Sequence, residues 1–247
     1  MRWTTGLLGA LLLLVTSGVA GADGQGSRPV LVELFTSQGC SSCPPADALA
    51  GELSTRDDVV VLSYHVSYWD YIGWKDPFAT EETTQRQHDY ANALRQRNVY
   101  TPQMVIGGRT HVVGSDVSSV LRTVESVGQG LSRAPQIAIA RVGQRFRVSL
   151  GSARFEGTAD VLLVRYDSRH DTPVSRGENR GRTMTNFNVV RDFRKIGTWD
   201  GSETQIMLND ADLTTAHGQD GCAVIVQAPN TGPVYAVANF DMNVIRQ

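Results

Sequence analysis

The motif Cys40-Ser41-Ser42-Cys43 constrains the fold of this chain more than any other feature of its sequence. It follows an apolar run from Val30 to Phe35 that predicts a buried strand, and it precedes apolar residues at helical spacing between Ala46 and Leu53. Two cysteines at this spacing can form a bridge, and the start of a helix places partial positive charge beside them. A Cys-x-x-Cys at a strand-to-helix junction is therefore a strong indication of redox chemistry.

The two cysteines are predicted to have different roles. Unpaired N–H groups at the helix start would favour a thiolate at Cys40, which would be an acidic and exposed nucleophile. Cys43 would lie one turn further in, shielded from solvent, and would act as the resolving thiol. Glu33 lies in the apolar strand, where it would be poorly solvated and could relay a proton for Cys43; alternatively, it points to solvent from the strand end.

Thr101-Pro102 precedes a short strand and the hairpin signal Gly107-Gly108. A proline at this place suits a cis peptide bond in a loop that faces the cysteines, with an ordinary trans turn as the alternative. In the cis form, Thr101 and Pro102 would present main-chain polar groups to an extended substrate strand.

The order of elements divides the chain near residues 128–135. Before this point strand-like and helix-like segments alternate, which predicts an α/β domain with a mixed sheet over residues 28–130. After it, strand-like segments separated by turn residues predict an all-β, sandwich-like domain over residues 134–247. Its seven candidate strands are Ile137–Ala140, Phe146–Leu150, Val161–Tyr166, Phe187–Phe193, Thr204–Leu208, Ala223–Gln227 and Val234–Phe240.

Three stretches carry a resemblance to a known family. They begin at Glu33, Tyr64 and Tyr100 and have the sequences ELFTSQGCSSCPPA, YHVSYWDYIGWKDPF and YTPQMVIGG. The acid, the cysteine pair and the proline, in this order, resemble the thioredoxin fold. Together with the segment from Gly177 to Arg182, the stretches resemble a family of secreted, thioredoxin-like bacterial proteins known as a domain of unknown function. The resemblance implies a thioredoxin-like domain and, by analogy, thiol–disulfide oxidoreductase activity.

The motif departs from ordinary thioredoxins in ways that bear on its redox potential. Ser41-Ser42 replaces Gly-Pro between the cysteines, Gly39 replaces the usual Trp, and Pro44-Pro45 follows the second cysteine. One more residue than usual separates the acid from the first cysteine. The redox potential depends on how strongly the thiolate is stabilised. The reducing potential of ordinary thioredoxins therefore cannot be assumed for this motif.

The segment from Tyr64 to Trp74 is unusually rich in aromatic residues. Tyr68, Trp69 and Trp74 are candidates to wall a groove beside Cys40 that receives apolar substrate surface. Alternatively, the rings fill an interface with the β-rich half of the chain.

His65 has three interpretations: a core histidine, a general base near the sulfurs, or a metal ligand. The last of these defines a second function, in which Cys40, Cys43 and His65 bind and deliver copper or zinc. In a third function the cysteines form a permanent structural disulfide and the protein is a binding module.

Gly177 to Arg182 is a polar loop bracketed by glycines. Its arginines, with Arg169 and Arg176, would gather around an anion or pair with acidic neighbours as a solvated surface. Alternatively, the loop packs against the aromatic segment and limits which substrates reach Cys40. Cys222, in an apolar run, is predicted to be a core residue, or to pair with a partner chain.

Residues 1–22 predict a secretory signal peptide. Leu7 to Val15 is apolar and Ala20-Gly21-Ala22 suits a signal peptidase, with an uncleaved anchor as the alternative. We therefore expect a secreted or periplasmic protein. Its expected partners are exported protein or small-molecule thiols and disulfides, and its working group is a redox-active disulfide without a further cofactor. A net charge of −2 argues against nucleic-acid binding.

Overall fold

The computed structural model describes residues 28–131, 134–213 and 220–242. The predicted signal peptide, residues 1–22, lies outside these ranges. The described chain forms a mixed α/β fold with one eight-stranded sheet and a second sheet of three strands. No helix within these ranges has the length and apolar character needed to cross a membrane.

Strands and helices alternate in the first half of the chain, and strands predominate in the second. The strands are β1 (Val30–Thr36), β2 (Val59–His65), β3 (Gln103–Ile106), β4 (Thr110–Val113), β5 (Ile137–Val142), β6 (Arg145–Leu150), β7 (Ala159–Pro173), β8 (Thr183–Trp199), β9 (Thr204–Asn209), β10 (Gly221–Gln227) and β11 (Val234–Asp241). The helices are α1 (Pro44–Leu53), a 3₁₀ helix (Ser67–Ile72), α2 (Glu81–Ala93), α3 (Val117–Gln129) and α4 (Asp210–Leu213).

The large sheet has the order β11-β10-β7-β8-β2-β1-β3-β4 and therefore contains strands from both halves of the chain. β1 is parallel to β2 along its whole length and antiparallel to β3. β8 joins the edge of β2 in parallel, with Ser63 paired to Val189. The second half thus extends the sheet of the first half, an arrangement that the division near residues 128–135 does not indicate.

The three-stranded sheet, with the order β5-β6-β9, packs against the outer strands of the large sheet. Phe146 and Val148 of β6 share a core with Val161 of β7 and Val224 of β10. Cys222 is buried in this core, as predicted. The β-rich half is layered as expected, but one of its two layers is a continuation of the α/β sheet.

The two faces of β1 contact different helices, because successive side chains of a strand point to opposite faces. Val32 and Leu34 pack in one core with α1. Leu31 and Phe35 pack on the other face, in a core that includes Tyr90 of α2. Since both faces are buried, β1 is apolar throughout apart from one acid and its final threonine.

Candidate functional site

Cys40 and Cys43 form a disulfide at the start of α1, with their Cα atoms 5.5 Å apart. The amide of Cys43 donates to the carbonyl of Cys40 at 3.3 Å, so the motif is one tight turn. Cys43 is the N-cap residue of α1. The prediction that these two sulfurs can bridge is confirmed.

The start of α1 offers the sulfurs fewer amides than predicted. Pro44-Pro45 occupies the first two helical positions and has no N–H groups. The next two amides of the helix already donate to the carbonyl of Cys43, at 2.9 and 3.1 Å. The expectation that these positions supply unpaired N–H groups is therefore wrong. The Ser42 hydroxyl lies 3.4 Å from Cys40 Sγ and must be the donor, because a disulfide sulfur carries no hydrogen.

Cys40 is completely buried, with 0% of its surface exposed, so the prediction of an accessible nucleophile is wrong for the oxidised state. Its cover is the turn between β7 and β8. Asn179 Nδ2 donates to the carbonyl oxygens of Gln38 and Cys40, at 2.9 Å each. The Glu178 carboxylate accepts the amide of Ser41 at 3.2 Å. The cover comes from a distant part of the sequence, which local pattern cannot reveal.

The aromatic segment contacts the same turn. A Cβ atom added to Gly177 would lie 3.3 Å from Trp74 Cβ, and Trp74 Nε1 donates to Gln38 Oε1 at 3.1 Å. A Cβ atom at Gly39 would lie 3.2 Å from Trp69 Cβ, which explains the small residue before the first cysteine. The predicted packing of the loop against the aromatic segment is confirmed.

The peptide bond between Thr101 and Pro102 is cis, as predicted. Trp69 Nε1 donates to Thr101 Oγ1 at 2.7 Å and so joins this loop to the aromatic segment. A Cβ atom at Gly114 would lie 3.1 Å from Ala46 Cβ of α1 and 3.3 Å from Pro102 Cβ. The cis-proline, the aromatic segment and the start of α1 therefore meet at one end of the sheet.

The aromatic rings divide between core and surface. Tyr64 is buried and stacks on Phe35, which is a core role. Tyr68 and Trp69 are half-buried and pack against the same core, and burial raises the pKa of Tyr68 to about 12. Tyr71 is 80% exposed. The interface with the β-rich half is observed for Tyr64, whose ring contacts that of Phe193 in β8, and the substrate groove stays a prediction.

Glu33 is buried on the face of the sheet opposite α1. Arg86 Nε donates to its Oε1 at 2.7 Å, and the Tyr90 hydroxyl donates to its other oxygen. Arg86 also donates to Gln227 at 3.1 Å, so the ion pair is part of a buried network. The solvent-facing alternative is wrong. The predicted proton relay from Glu33 to Cys43 is also corrected, because the Glu33 carboxylate faces α2 and not α1, the helix that follows Cys43.

A second buried acid, Asp47, was not among the predicted site residues. It lies one helical turn after Cys43 and is 3% exposed. Asp47 Oδ1 accepts the Thr36 hydroxyl at 2.8 Å, while Oδ2 has no partner. Burial raises the pKa of Asp47 to about 7, against the opposing effect of nearby His65. The overlooked signal is an acid in the first turn after the motif, a position normally assigned to solvent.

His65 is buried beside Asp76, with 2.7 Å between Nδ1 and the Asp76 carboxylate. Burial lowers the pKa of His65, but the charge and hydrogen bond of Asp76, together with the charge of Asp47, more than offset this, and the net pKa is raised. The same carboxylate accepts the amides of Gln38 and Phe78, at 2.8 and 3.0 Å. His65 is thus a buried, ion-paired histidine behind the motif.

The predicted metal ligands do not form a metal-binding group in this structure. The sulfurs of Cys40 and Cys43 are bonded to each other, and His65 Nδ1 is held by Asp76. Among residues 28–131, 134–213 and 220–242, no three His, Cys, Asp or Glu side chains are arranged to hold a metal.

Asp47, His65 and Asn186 form what we call the buried polar cluster. Each is fully buried or nearly so, and each has one polar atom without a partner: Asp47 Oδ2, His65 Nε2 and Asn186 Nδ2. Electrostatic contact links Asp47 to both of the others. Buried polar groups are almost always satisfied, so three such atoms in one cluster are unusual for a protein core.

The four arginines predicted to gather around an anion do not do so as a group. Arg169 pairs with Asp171 at 3.1 Å, and Arg182 donates to Asn179 at 3.3 Å. Arg176 and Arg180 line one surface cavity. Two of the four side chains therefore lie at a common cavity, and the binding of an anion there stays a prediction.

Comparisons with known proteins give structural relatives. No curated protein matches the chain. Protein AGR_C_4864 from Agrobacterium tumefaciens has a similar structure, with 32% sequence identity and a TM-score of 0.75. The match covers 87% of this chain and 95% of that chain. HBP35 of Porphyromonas gingivalis is similar in fold alone, with 11% identity and a TM-score of 0.59, over 89% of this chain and 77% of that chain.

A family model describes most of the sequence. Residues 31–227 match the family of proteins of unknown function DUF1223. The matched range begins in β1 and ends with β10, so it includes the cysteine motif, the cis-proline and the cover of Cys40. The resemblance to a bacterial domain of unknown function is confirmed, and the chain belongs to the DUF1223 family.

Proposed function

We propose that this protein is a thioredoxin-like thiol–disulfide oxidoreductase whose redox group is the Cys40–Cys43 disulfide. The observation that carries the proposal is the joint position of this disulfide and the cis Thr101–Pro102 bond at one end of the sheet. The neighbouring strands β2, β1, β3 and β4, with α1 after the motif, support a thioredoxin-like unit. The proposal includes export to a secreted or periplasmic location, where a disulfide persists.

The reaction is a pair of exchange steps. A substrate thiolate attacks Cys40 Sγ, the bond between Cys40 and Cys43 breaks, and a mixed disulfide forms while Cys43 leaves as a thiolate that takes up a proton. A second substrate thiolate then attacks the substrate sulfur, which releases the oxidised substrate and the thiolate of Cys40. Two substrate thiols become one disulfide, and the protein disulfide becomes a dithiol. The reverse sequence reduces a substrate disulfide.

Asp47 is the proposed proton donor and acceptor for Cys43, in place of Glu33. Residues four apart lie on the same side of a helix, and Asp47 follows Cys43 by four positions. Its pKa of about 7 lets the carboxyl give up and recover a proton near neutral pH. Glu33, held by Arg86 on the other face, is a structural residue.

Exchange requires that the cover of Cys40 opens, because the sulfur has no exposed surface. Opening breaks the hydrogen bonds of Asn179 and Glu178 to the motif. The covering turn contains Gly177 and Gly181 at φ values of +71° and +82°, which glycine adopts without steric cost. Opening of a lid of this kind occurs in microseconds to seconds.

The test is a redox titration of the purified chain against glutathione buffers, together with an insulin reduction assay. We expect a potential above about −300 mV and catalysed exchange that is lost in Cys40→Ser and Cys43→Ser. Cys222→Ala, which removes the third cysteine, is the matched control and should keep both properties.

Two outcomes would contradict the proposal. A potential below about −300 mV without catalysed exchange would identify a structural disulfide, and the protein would be a binding module. Stoichiometric copper or zinc on the reduced protein, lost in Cys40→Ser and in His65→Ala, would instead support metal binding.

A further inference from the structure

A surface cavity of about 570 Å³ lies beside the cover of Cys40. It opens between the end of the 3₁₀ helix and the turn that joins β7 to β8. Its lining residues are Ile72, Ser175, Arg176, Gly177, Glu178 and Arg180. A cavity of this size is in the range that holds a small organic ligand.

The polar lining of the cavity is predominantly cationic. Arg176 and Arg180 are both exposed, and no described ion pair or hydrogen bond engages either guanidinium. The one carboxylate, Glu178, is already engaged, because it accepts the amide of Ser41. Two guanidinium groups at one cavity are suited to bidentate binding of carboxylates.

Glu178 shows that the cysteine motif itself can bind a carboxylate. The Ser41 amide lies between the two cysteines, and its contact with Glu178 is exposed to solvent. A carboxylate from a ligand can replace that of Glu178 and leave the amide satisfied. Asn179, the next residue, donates to the carbonyl of Cys40, so displacement of Glu178 also disturbs the cover.

We propose that this cavity is the substrate site of the oxidoreductase and that it binds small anionic thiols or disulfides that carry carboxylates. Arg176 and Arg180 bind the substrate carboxylates. One of these carboxylates displaces Glu178 from Ser41, and the cover then opens over Cys40. The inference rests on the proposed function and adds to it a substrate class and a way in which substrate reaches a buried sulfur.

The first test compares disulfides of different charge. Reduced protein is oxidised with glutathione disulfide, which is anionic, or with 2-hydroxyethyl disulfide, which is neutral. In the double variant Arg176→Ala/Arg180→Ala we expect the second-order rate constant with glutathione disulfide to fall by roughly 10- to 100-fold. The rate constant with the neutral disulfide should not change.

The matched control is the double variant Arg145→Ala/Arg154→Ala. It removes the same charge from exposed positions that do not line the cavity. Equal losses in the two double variants would show a general effect of charge and would overturn the proposal. So would an equal loss with both disulfides in the cavity variant.

Glu178→Gln tests the displacement step. The uncharged side-chain oxygen of glutamine accepts the Ser41 N–H less strongly than a carboxylate does. The cover should therefore open more often. We expect faster oxidation by the neutral disulfide and a smaller preference for the anionic one. An unchanged rate with the neutral disulfide would refute the displacement step.

Binding of S-methylglutathione separates this inference from the proposed function, because the compound has neither a thiol nor a disulfide. Calorimetry with the oxidised protein should detect binding that is lost in Arg176→Ala/Arg180→Ala. Such binding without any catalysed exchange would refute the redox function and keep the anion site. Catalysed exchange without such binding would refute the anion site and keep the redox function. Binding of hexaglutamate but not of S-methylglutathione would also refute the proposed substrate class, because it would point to acidic peptides.

Discussion

Asp47→Asn should remove a large pH dependence from the stability of this protein. In the folded chain burial raises the pKa of Asp47 to about 7, compared with 3.8 for an ordinary aspartate. Between these values the folded state holds a proton that the unfolded state has lost. The free energy of unfolding therefore falls as the pH rises through this window, and the fall ends above the folded pKa.

The magnitude follows from the width of the window. Each pH unit within it changes the free energy of unfolding by about 1.4 kcal/mol, so the loss between pH 5 and pH 8 is about 3 kcal/mol. Asparagine has no charge to bury, and its side-chain oxygen can still accept the Thr36 hydroxyl. His65, whose pKa is raised, adds a fall of the same sign at higher pH, and this fall is smaller in Asp47→Asn because the charge of Asp47 is one cause of the raised pKa.

The assay is urea unfolding of the oxidised proteins at pH 5, 6, 7 and 8, followed by tryptophan fluorescence. The stability of Asp47→Asn relative to the natural chain should increase by about 3 kcal/mol from pH 5 to pH 8. Asp57→Asn, at an exposed position, is the control and should show no such increase. A difference that is the same at pH 5 and pH 8 would refute the assignment of Asp47 as a titrating buried acid.

Three other substitutions test separate parts of the structure. Glu33→Gln leaves a buried guanidinium without its ion-pair partner and should cost about 3 to 5 kcal/mol in urea unfolding, while the exchange rate of the folded protein stays the same; a selective loss of exchange would restore Glu33 as the proton relay. Pro45→Ala returns an N–H group to the start of α1 and should lower the pKa of the reduced Cys40 thiol. The pKa is measured from the pH profile of iodoacetamide alkylation in a Cys43→Ser background. An unshifted profile would show that the missing amide does not affect the thiol. Gly108→Ala would bring a Cβ atom within 2.5 Å of a backbone carbonyl at a φ of +61°, so we expect a loss of about 1 to 3 kcal/mol in thermal unfolding, and an unchanged melting temperature would show that the loop adapts.

Local rules were sufficient to predict much of the site. Residue types and their local order along the chain were enough to predict three features. These are the Cys-x-x-Cys between a strand and a helix, the cis form of Thr101–Pro102, and the buried strands β1 and β2. The face occupied by Glu33 did not follow, because β1 is buried on both sides and its alternation carries no sign of which side faces α1. The acid that does lie beneath the motif belongs to the helix.

The cover of Cys40 required information that no local pattern contains. Asn179 reaches the motif because β7 and β8 are long strands whose turn projects over the end of the sheet. The sequence suggested shorter strands, Val161–Tyr166 and Phe187–Phe193, and with those bounds the turn would lie elsewhere. Exposure of a side chain is set by tertiary neighbours, so the prediction of an accessible Cys40 failed while the prediction of the motif itself succeeded.

The parallel contact between β2 and β8 makes the two halves of the sequence into one functional unit. Through it, Asn186 reaches Gln38 and the turn after β7 reaches Cys40. A chain cut after Leu131 would retain both cysteines, Pro102 and Asp47. It would lack the turn that covers Cys40. Under the proposed function, the second half of the protein thus controls access to Cys40, because its turn both covers the sulfur and carries the arginines proposed to bind substrate.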